Sequence, residues 1–191
     1  ALTDQDSRLL APLTRFYNEA GRAMPAIERV EDRDIPQPQR GLLTQPGDMT
    51  PALEGFYEGQ LHLRVLGRHV NNSLYSRQVA LLINGSDTPV GFGAIDIYLA
   101  MLERSVRDKI IEARRPLGGI LLGEGVEHRS QPQAFLRVQP DAMMNQTFQL
   151  DQPCALYGRC NRLVDDSERT ICDVVEIMCP GGGRGQMTND E

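Results

Sequence analysis

Two ionisable residues sit on strand faces that are otherwise apolar. In 75-YSRQVALLI-83 the odd positions are Tyr75, Arg77, Val79, Leu81 and Ile83. Strand side chains alternate in face, so Arg77 points to the apolar side. The second residue lies in the last pair of β-rich runs, 153-PCALYGRCNRLV-164 and 169-RTICDVVEIMC-179, joined by the polar turn 165-DDSE-168. That pattern is a hairpin signal. Symmetric closure of the turn puts Tyr157 opposite Glu176 and Arg159 opposite Val174. One face then carries Ala155, Tyr157, Cys172, Val174, Glu176 and Met178, an apolar row with a carboxylate in it. A buried carboxylate must find a partner, take up a proton or do chemistry. Two readings stay open: Arg77 and Glu176 form one buried ion pair, or they line an anion-binding pocket.

The elements that must position these residues follow from the hydrophobic pattern. Leu9, Leu10, Leu13, Phe16, Tyr17 and Ala20 have helical spacing over residues 7–20, and Pro12 suggests a start near there. Residues 21–47, rich in Pro, Arg and Asp, read as an irregular connection. In 48-DMTPALEGFYEG-59, Thr50 and Pro51 form an N-cap and first-turn signature. Strands follow at 60–70, 75–83 and about 88–99. Asn71–Asn72 and Asn84–Gly85 are the turns between them, which gives an antiparallel meander. Gly91 and Gly93 indicate a bend or a close approach by another group. A helix is expected at 102–113, a Pro-Gly turn into a short apolar segment at 116–123, and a strand at 126–138 with a break at Pro132. Residues 139–152 read as irregular, with Met143 and Met144 filling core gaps. This order predicts an α+β fold, a single antiparallel β-sheet with helices packed on one face.

Bulk properties narrow the function. The 191 residues suffice for one domain with a substantial core. A net charge of −6 provides no field to draw the chain to nucleic acid or an anionic membrane. Lys109 is the only lysine, so nearly every cation is an arginine, the better bidentate clamp for a carboxylate. There is no apolar run long enough to span a bilayer, and 1-ALTDQDSRLLAPL-13 lacks the order of a signal peptide. Cys154, Cys160, Cys172 and Cys179 make no C-x-x-C pair, and His62, His69 and His128 are scattered, which argues against a zinc site. The cysteines read as free thiols of a cytoplasmic protein, even though symmetric closure of the hairpin would set Cys154 opposite Cys179. Gly91-x-Gly93 has no third glycine in phase, so it is not a nucleotide fingerprint.

The ordered set 48-DMT-50, 76-SRQVALLI-83, 116-PLG-118, 128-HR-129, 156-LYGRCNRL-163 and 175-VEI-177 resembles the chorismate pyruvate-lyase family over about residues 45–180. The resemblance implies helical flaps closing over a buried ligand site. It divides the chain into an N-terminal helix and irregular extension (1–44) packed on the domain, a lyase-like domain (45–180) and a flexible tail (181–191). It implies elimination of pyruvate from chorismate to give 4-hydroxybenzoate, for quinone or another aromatic product, with no metal or organic cofactor. In such enzymes the arginine that falls on Arg77 holds the ring carboxylate, and Met49 lies at a backbone contact to it. Leu117 and Glu176 fall at the ring hydroxyl, and Arg129 becomes the partner of the enolpyruvyl carboxylate. Glu176 and Arg77 would then be the catalytic pair, with Glu176 helping to move a proton.

The leading expectation is therefore a cytoplasmic carbon–oxygen lyase acting on chorismate. The alternatives are a non-catalytic binding domain for a small aromatic carboxylate, or an enzyme of the same fold with another substrate. Effector-binding domains of some bacterial transcription regulators have a related fold. The absence of a helix-turn-helix pattern and of excess basic charge counts against a DNA-binding regulator.

Overall fold

A computed structural model describes residues 3–71 and 73–179. The tail expected to be flexible, 181–191, lies outside the described residues. The chain opens with α1 (Asp4–Leu9) and α2 (Ala11–Glu19), then β1 (Ile27–Val30), α3 (Gln39–Thr44) and α4 (Met49–Tyr57). The meander β2 (Leu61–Val70), β3 (Leu74–Ile83) and β4 (Pro89–Tyr98) follows, then α5 (Arg104–Ile111) and α6 (Leu117–Gly123). It finishes with β5 (Arg129–Val138), α7 (Ala142–Phe148), β6 (Leu156–Val164) and β7 (Thr170–Met178). The strands form one seven-stranded antiparallel sheet in the order β1-β5-β6-β7-β4-β3-β2.

The expected α+β fold and its meander are present, and the period-2 alternation builds the two faces. Phe92, Ala94, Cys160, Val175 and Ile177 pack on one face against Leu10, Leu13, Phe16 and Tyr17 of the N-terminal helices and Met144 and Phe148 of α7. Arg15 fastens α2 to the sheet through Asp96 at 2.9 Å, and the Tyr17 hydroxyl donates to Asp141 at 2.7 Å. The opposite face carries the flaps. There α3 and α4 bury Leu42, Leu43, Met49 and Leu53, while α5 and α6 bury Val106, Ile110, Leu117, Ile120 and Leu121.

Several local expectations change. Residues 21–47 contain β1 and α3, and 139–152 contains α7, whose N-cap Asp141 accepts from the Met144 amide. Helix α4 begins at Met49, ahead of Thr50, with Asp48 in the N-cap position. The short apolar segment expected after a Pro-Gly turn is the helix α6, which starts at Leu117 with Pro116 in the N-cap position. The break at Pro132 is a register shift between Pro132 and Ala134.

The last hairpin pairs two residues out of the symmetric register. Arg159 lies opposite Glu176 and Tyr157 opposite Met178. The cause is the turn: the Asp165 carboxylate accepts the amides of Ser167 and Arg169, and an irregularity near Ile171 shifts the pairing between Leu163 and Val164. A shift of two preserves side-chain faces, so the apolar row containing Glu176 survives. It also moves Cys154 out of line with Cys179, and all four cysteines are free. Gly158 makes the close strand packing here possible, since a Cβ on it would stand 2.3 Å from the Glu176 carbonyl oxygen. No helix among the described residues is long and apolar enough to cross a membrane.

Candidate functional site

The flaps and the sheet enclose a cavity of about 90 Å³ beneath α4 and α6. Its floor is the site face of β3, β4, β6 and β7, including Arg77, Val79, Ile95, Asn161, Val174 and Glu176. Its roof is built by the starts of the two flap helices, Asp48, Met49 and Thr50 on one side and Pro116, Leu117 and Gly118 on the other. The walls are mainly apolar. An engineered apolar cavity of about 150 Å³ holds a benzene, so the order of size fits one ring rather than a chain segment.

Arg77 is 2% exposed. Burial pushes its pKa down, with Tyr75 pulling the other way, yet a guanidinium does not give up its proton in proteins. Its bonding is sparse for a buried cation. Nη2 donates to the Arg115 carbonyl at 3.4 Å, and Nε and Nη1 have no hydrogen-bond partner among the described residues. The Tyr75 ring stands 6.0 Å from its guanidinium carbon. No carboxylate among the described residues pairs with it.

Glu176 is not the partner of Arg77. Its Oε2 accepts from Arg159 Nε at 2.7 Å. Arg159, fully buried, also donates from Nη1 to the carbonyls of Leu43 and Gln45 at 3.1 Å each, and from Nη2 to Gly47 at 3.0 Å. It thus ties the loop between α3 and α4 to the sheet. Burial raises the Glu176 pKa, Arg159 lowers it, Asp48 adds a rise, and the net direction is up. The open question from the sequence is answered against a single Arg77–Glu176 ion pair: the pairing is Arg159–Glu176, and Arg77 stands alone on the same floor.

Four of the five expected site residues, Met49, Arg77, Leu117 and Glu176, line the cavity. Arg129 does not. It starts β5 on the surface, 53% exposed, and pairs with Glu168 of the final turn. In the sheet it pairs with Val164, which shares the face of Cys160 on the side of the sheet opposite the flaps, so its side chain is turned away from the cavity.

Sequence reasoning missed two arrangements. One is the Arg159 anchor, which the symmetric register set opposite Val174. The other is His128, read as scattered. Its Nε2 lies 2.7 Å from Asp48 Oδ2 and its Nδ1 2.8 Å from the Val126 carbonyl oxygen. Both segments, 48-DMT-50 and 128-HR-129, stood out in the sequence, but nothing in it brings positions 80 residues apart together.

Among solved structures, the chain is similar to the effector domain of PhnF from Mycobacterium smegmatis, with TM-score 0.53 and 11% identity over 71% of this chain and 90% of that one. It is similar to PhnF from the same organism, with TM-score 0.54 and 11% identity over 90% and 94%. YydK of Bacillus subtilis subsp. subtilis str. 168, described as a possible transcriptional regulator, matches with TM-score 0.50 and 9% identity over 69% and 64%. No family model and no curated protein matches the sequence. The likeness shows the fold, the chorismate lyase-like α+β arrangement.

The expectation of a carbon–oxygen lyase is corrected by these findings. The solved structures named above include an effector domain and a possible transcriptional regulator, and none is described as a lyase. The geometry gives a reason in the same direction. Chorismate carries two carboxylates, and with Arg129 on the surface the cavity offers one unpaired guanidinium. Glu176, expected to help move a proton, is already engaged by Arg159. The quinone-biosynthesis reading falls with the enzyme.

Proposed function

We propose that the chain is a non-catalytic binding domain for a small aromatic carboxylate. The observation that carries this reading is Arg77, a buried guanidinium with two nitrogens lacking partners among the described residues, on the floor of a mainly apolar cavity. A buried charge without a counterion is costly, and a ligand carboxylate supplies both the charge and the two acceptors a guanidinium fork takes. Met49, at the start of α4, adds a backbone amide on the same side. Leu117 and the remaining oxygen of Glu176 receive the polar group at the far end of the ring, so a para-hydroxyl complements the site. The likeness to effector domains supports binding, rather than turnover, as the output. A cytoplasmic setting agrees with four free thiols.

Calorimetry with 4-hydroxybenzoate and its uncharged analogue 4-hydroxybenzamide tests this. Binding of the acid, with the amide weaker by at least about 30-fold (~2 kcal/mol for an unmet buried charge), supports the reading. Equal binding of the two, or no binding of the acid, overturns it.

A further inference from the structure

One contact between the two flaps is an Asp–His pair whose hydrogen bonding depends on its protonation. Asp48 precedes α4 in the N-cap position, with extended backbone, but its side chain makes no capping bond. Its Oδ2 instead reaches across to His128 Nε2 at 2.7 Å. His128 belongs to the other flap, because the Val126 amide donates to the Leu121 carbonyl at the end of α6. Gly118 lets the carboxylate pass, since a Cβ there would lie 3.0 Å from Asp48 Oδ2. The side chains are shielded, at 12% exposure for His128 and 17% for Asp48.

Each ring nitrogen faces an atom that can only accept when Asp48 is ionised. A carbonyl oxygen accepts at Nδ1 and a carboxylate oxygen accepts at Nε2. Neutral imidazole has one N–H, so it satisfies one of the two. Both contacts form only when the pair holds an extra proton, as an imidazolium facing a carboxylate. The charged groups around it leave Asp48 as the counterion. Glu127 and Arg129, its chain neighbours, are exposed, and Arg129 is paired with Glu168. On α6, Glu124 is paired with Lys109, and on β7 Glu176 is held by Arg159.

We propose that Asp48 and His128 form a proton-operated clasp that holds the α4 and α6 flaps closed over the Arg77 cavity, so that loss of one proton opens the path for ligand. The clasp rests on that cavity being the ligand site. The direction of titration agrees: the hydrogen bond to Asp48 raises the His128 pKa above 6.5, against the lowering effect of burial. A raised folded-state pKa means the clasp is fully present below pH 6.5 and is lost as pH climbs through the folded value.

The first test needs no ligand. Amide hydrogen exchange, corrected for the intrinsic pH dependence, is followed in segments 49–57 and 117–123 at pH 6 and pH 8.5. Wild type should lose protection in both flaps by about tenfold at the higher pH, the scale of one lost hydrogen bond to a charged group. Asp48→Asn should show the low protection at both, with the sheet amides unchanged, and His128→Gln should abolish the pH dependence. Equal wild-type flap protection at both pH values overturns the clasp. The second test measures dissociation of 4-hydroxybenzoate by stopped flow. Its rate should rise with pH in wild type and be fast and flat in Asp48→Asn, and a flat wild-type rate overturns the link to ligand release. If the acid does not bind at all, the ligand reading fails, while the exchange experiment still decides the clasp.

Discussion

Replacing Arg77 by methionine should make the empty protein more stable and the binding protein useless. Met keeps the length and apolar body of the stem and removes the guanidinium. Leaving a buried donor unmet costs about 1–3 kcal/mol, and Arg77 has two such nitrogens against one bond of 3.4 Å. Part of the gain is lost to imperfect packing around the thioether. We expect a net stabilisation of about 2 kcal/mol, within the range seen when buried charges are replaced by apolar residues. For a domain of this size that raises Tm by roughly 4–8 °C. Binding of 4-hydroxybenzoate should fall by about 2–4 kcal/mol, or roughly 30- to 1000-fold. Arg77→Lys should restore part of it, because an ammonium supplies charge without the fork. Thermal melts and calorimetry on the same samples give both readouts. The sign of the Tm change is the discriminating result. A structural arginine destabilises the fold when removed, so an Arg77→Met protein that melts lower, or that binds the acid as wild type does, refutes the assignment.

Two other residues have opposite expectations. Glu176→Ala strands the fully buried Arg159 with only carbonyl acceptors, and the urea midpoint should report a loss of about 3 kcal/mol, the scale for breaking a buried pair. Arg129→Ala removes a surface pair with Glu168 and should change stability by less than about 1 kcal/mol, with 4-hydroxybenzoate affinity in calorimetry within about twofold of wild type because the side chain lies outside the cavity.

What could be read from the sequence divides along a physical line. Period-2 alternation fixes faces, so Arg77 and Glu176 could be flagged as charges on the site side before any register was known. Register depends on the turn, and the Asp165 bonds with the irregularity at Ile171 shifted it by two. That left the faces intact and changed the partner: Arg159, which symmetric closure sets opposite Val174, takes the place of Tyr157 opposite Glu176 and becomes its counterion. Non-local geometry was out of reach for the same reason. The four residues of β1 join the sheet only because β5 is there to pair with, and 27-IERV-30 carries no local signal strong enough to stand out from a Pro-rich stretch. Helix α7 did carry a signal, the N-cap Asp141, which a run of polar residues obscured. Arg129 shows the converse failure. A short motif match placed its type correctly in sequence but could not say that its register partner, Val164, puts it on the face of the sheet opposite the cavity.

The two buried arginines of the site sheet show how the same residue type is put to different use. Arg159 spends its guanidinium within the protein, on Glu176 and on three carbonyls, that of Leu43 at the end of α3 and those of Gln45 and Gly47 in the loop after it. A charge so fully met has nothing left for a ligand, and its work is to fix the loop that leads into Asp48. Arg77 has a comparable degree of burial and one long bond. Moving a counterion to Arg77 would have stabilised the empty fold, and Glu176 stands on the same floor, yet the register gives that carboxylate to Arg159. The consequence is a cavity with an unmet positive charge under a roof that is itself pinned, at one end by Arg159 and at the other by Asp48 and His128. Binding energy at Arg77 is available because the fold has left most of it unspent, and the Asp48–His128 bond that joins the two flaps does not involve Arg77, whose one link to a flap is the 3.4 Å bond to the Arg115 carbonyl ahead of α6. Affinity therefore rests mainly on Arg77, and access mainly on Asp48 and His128.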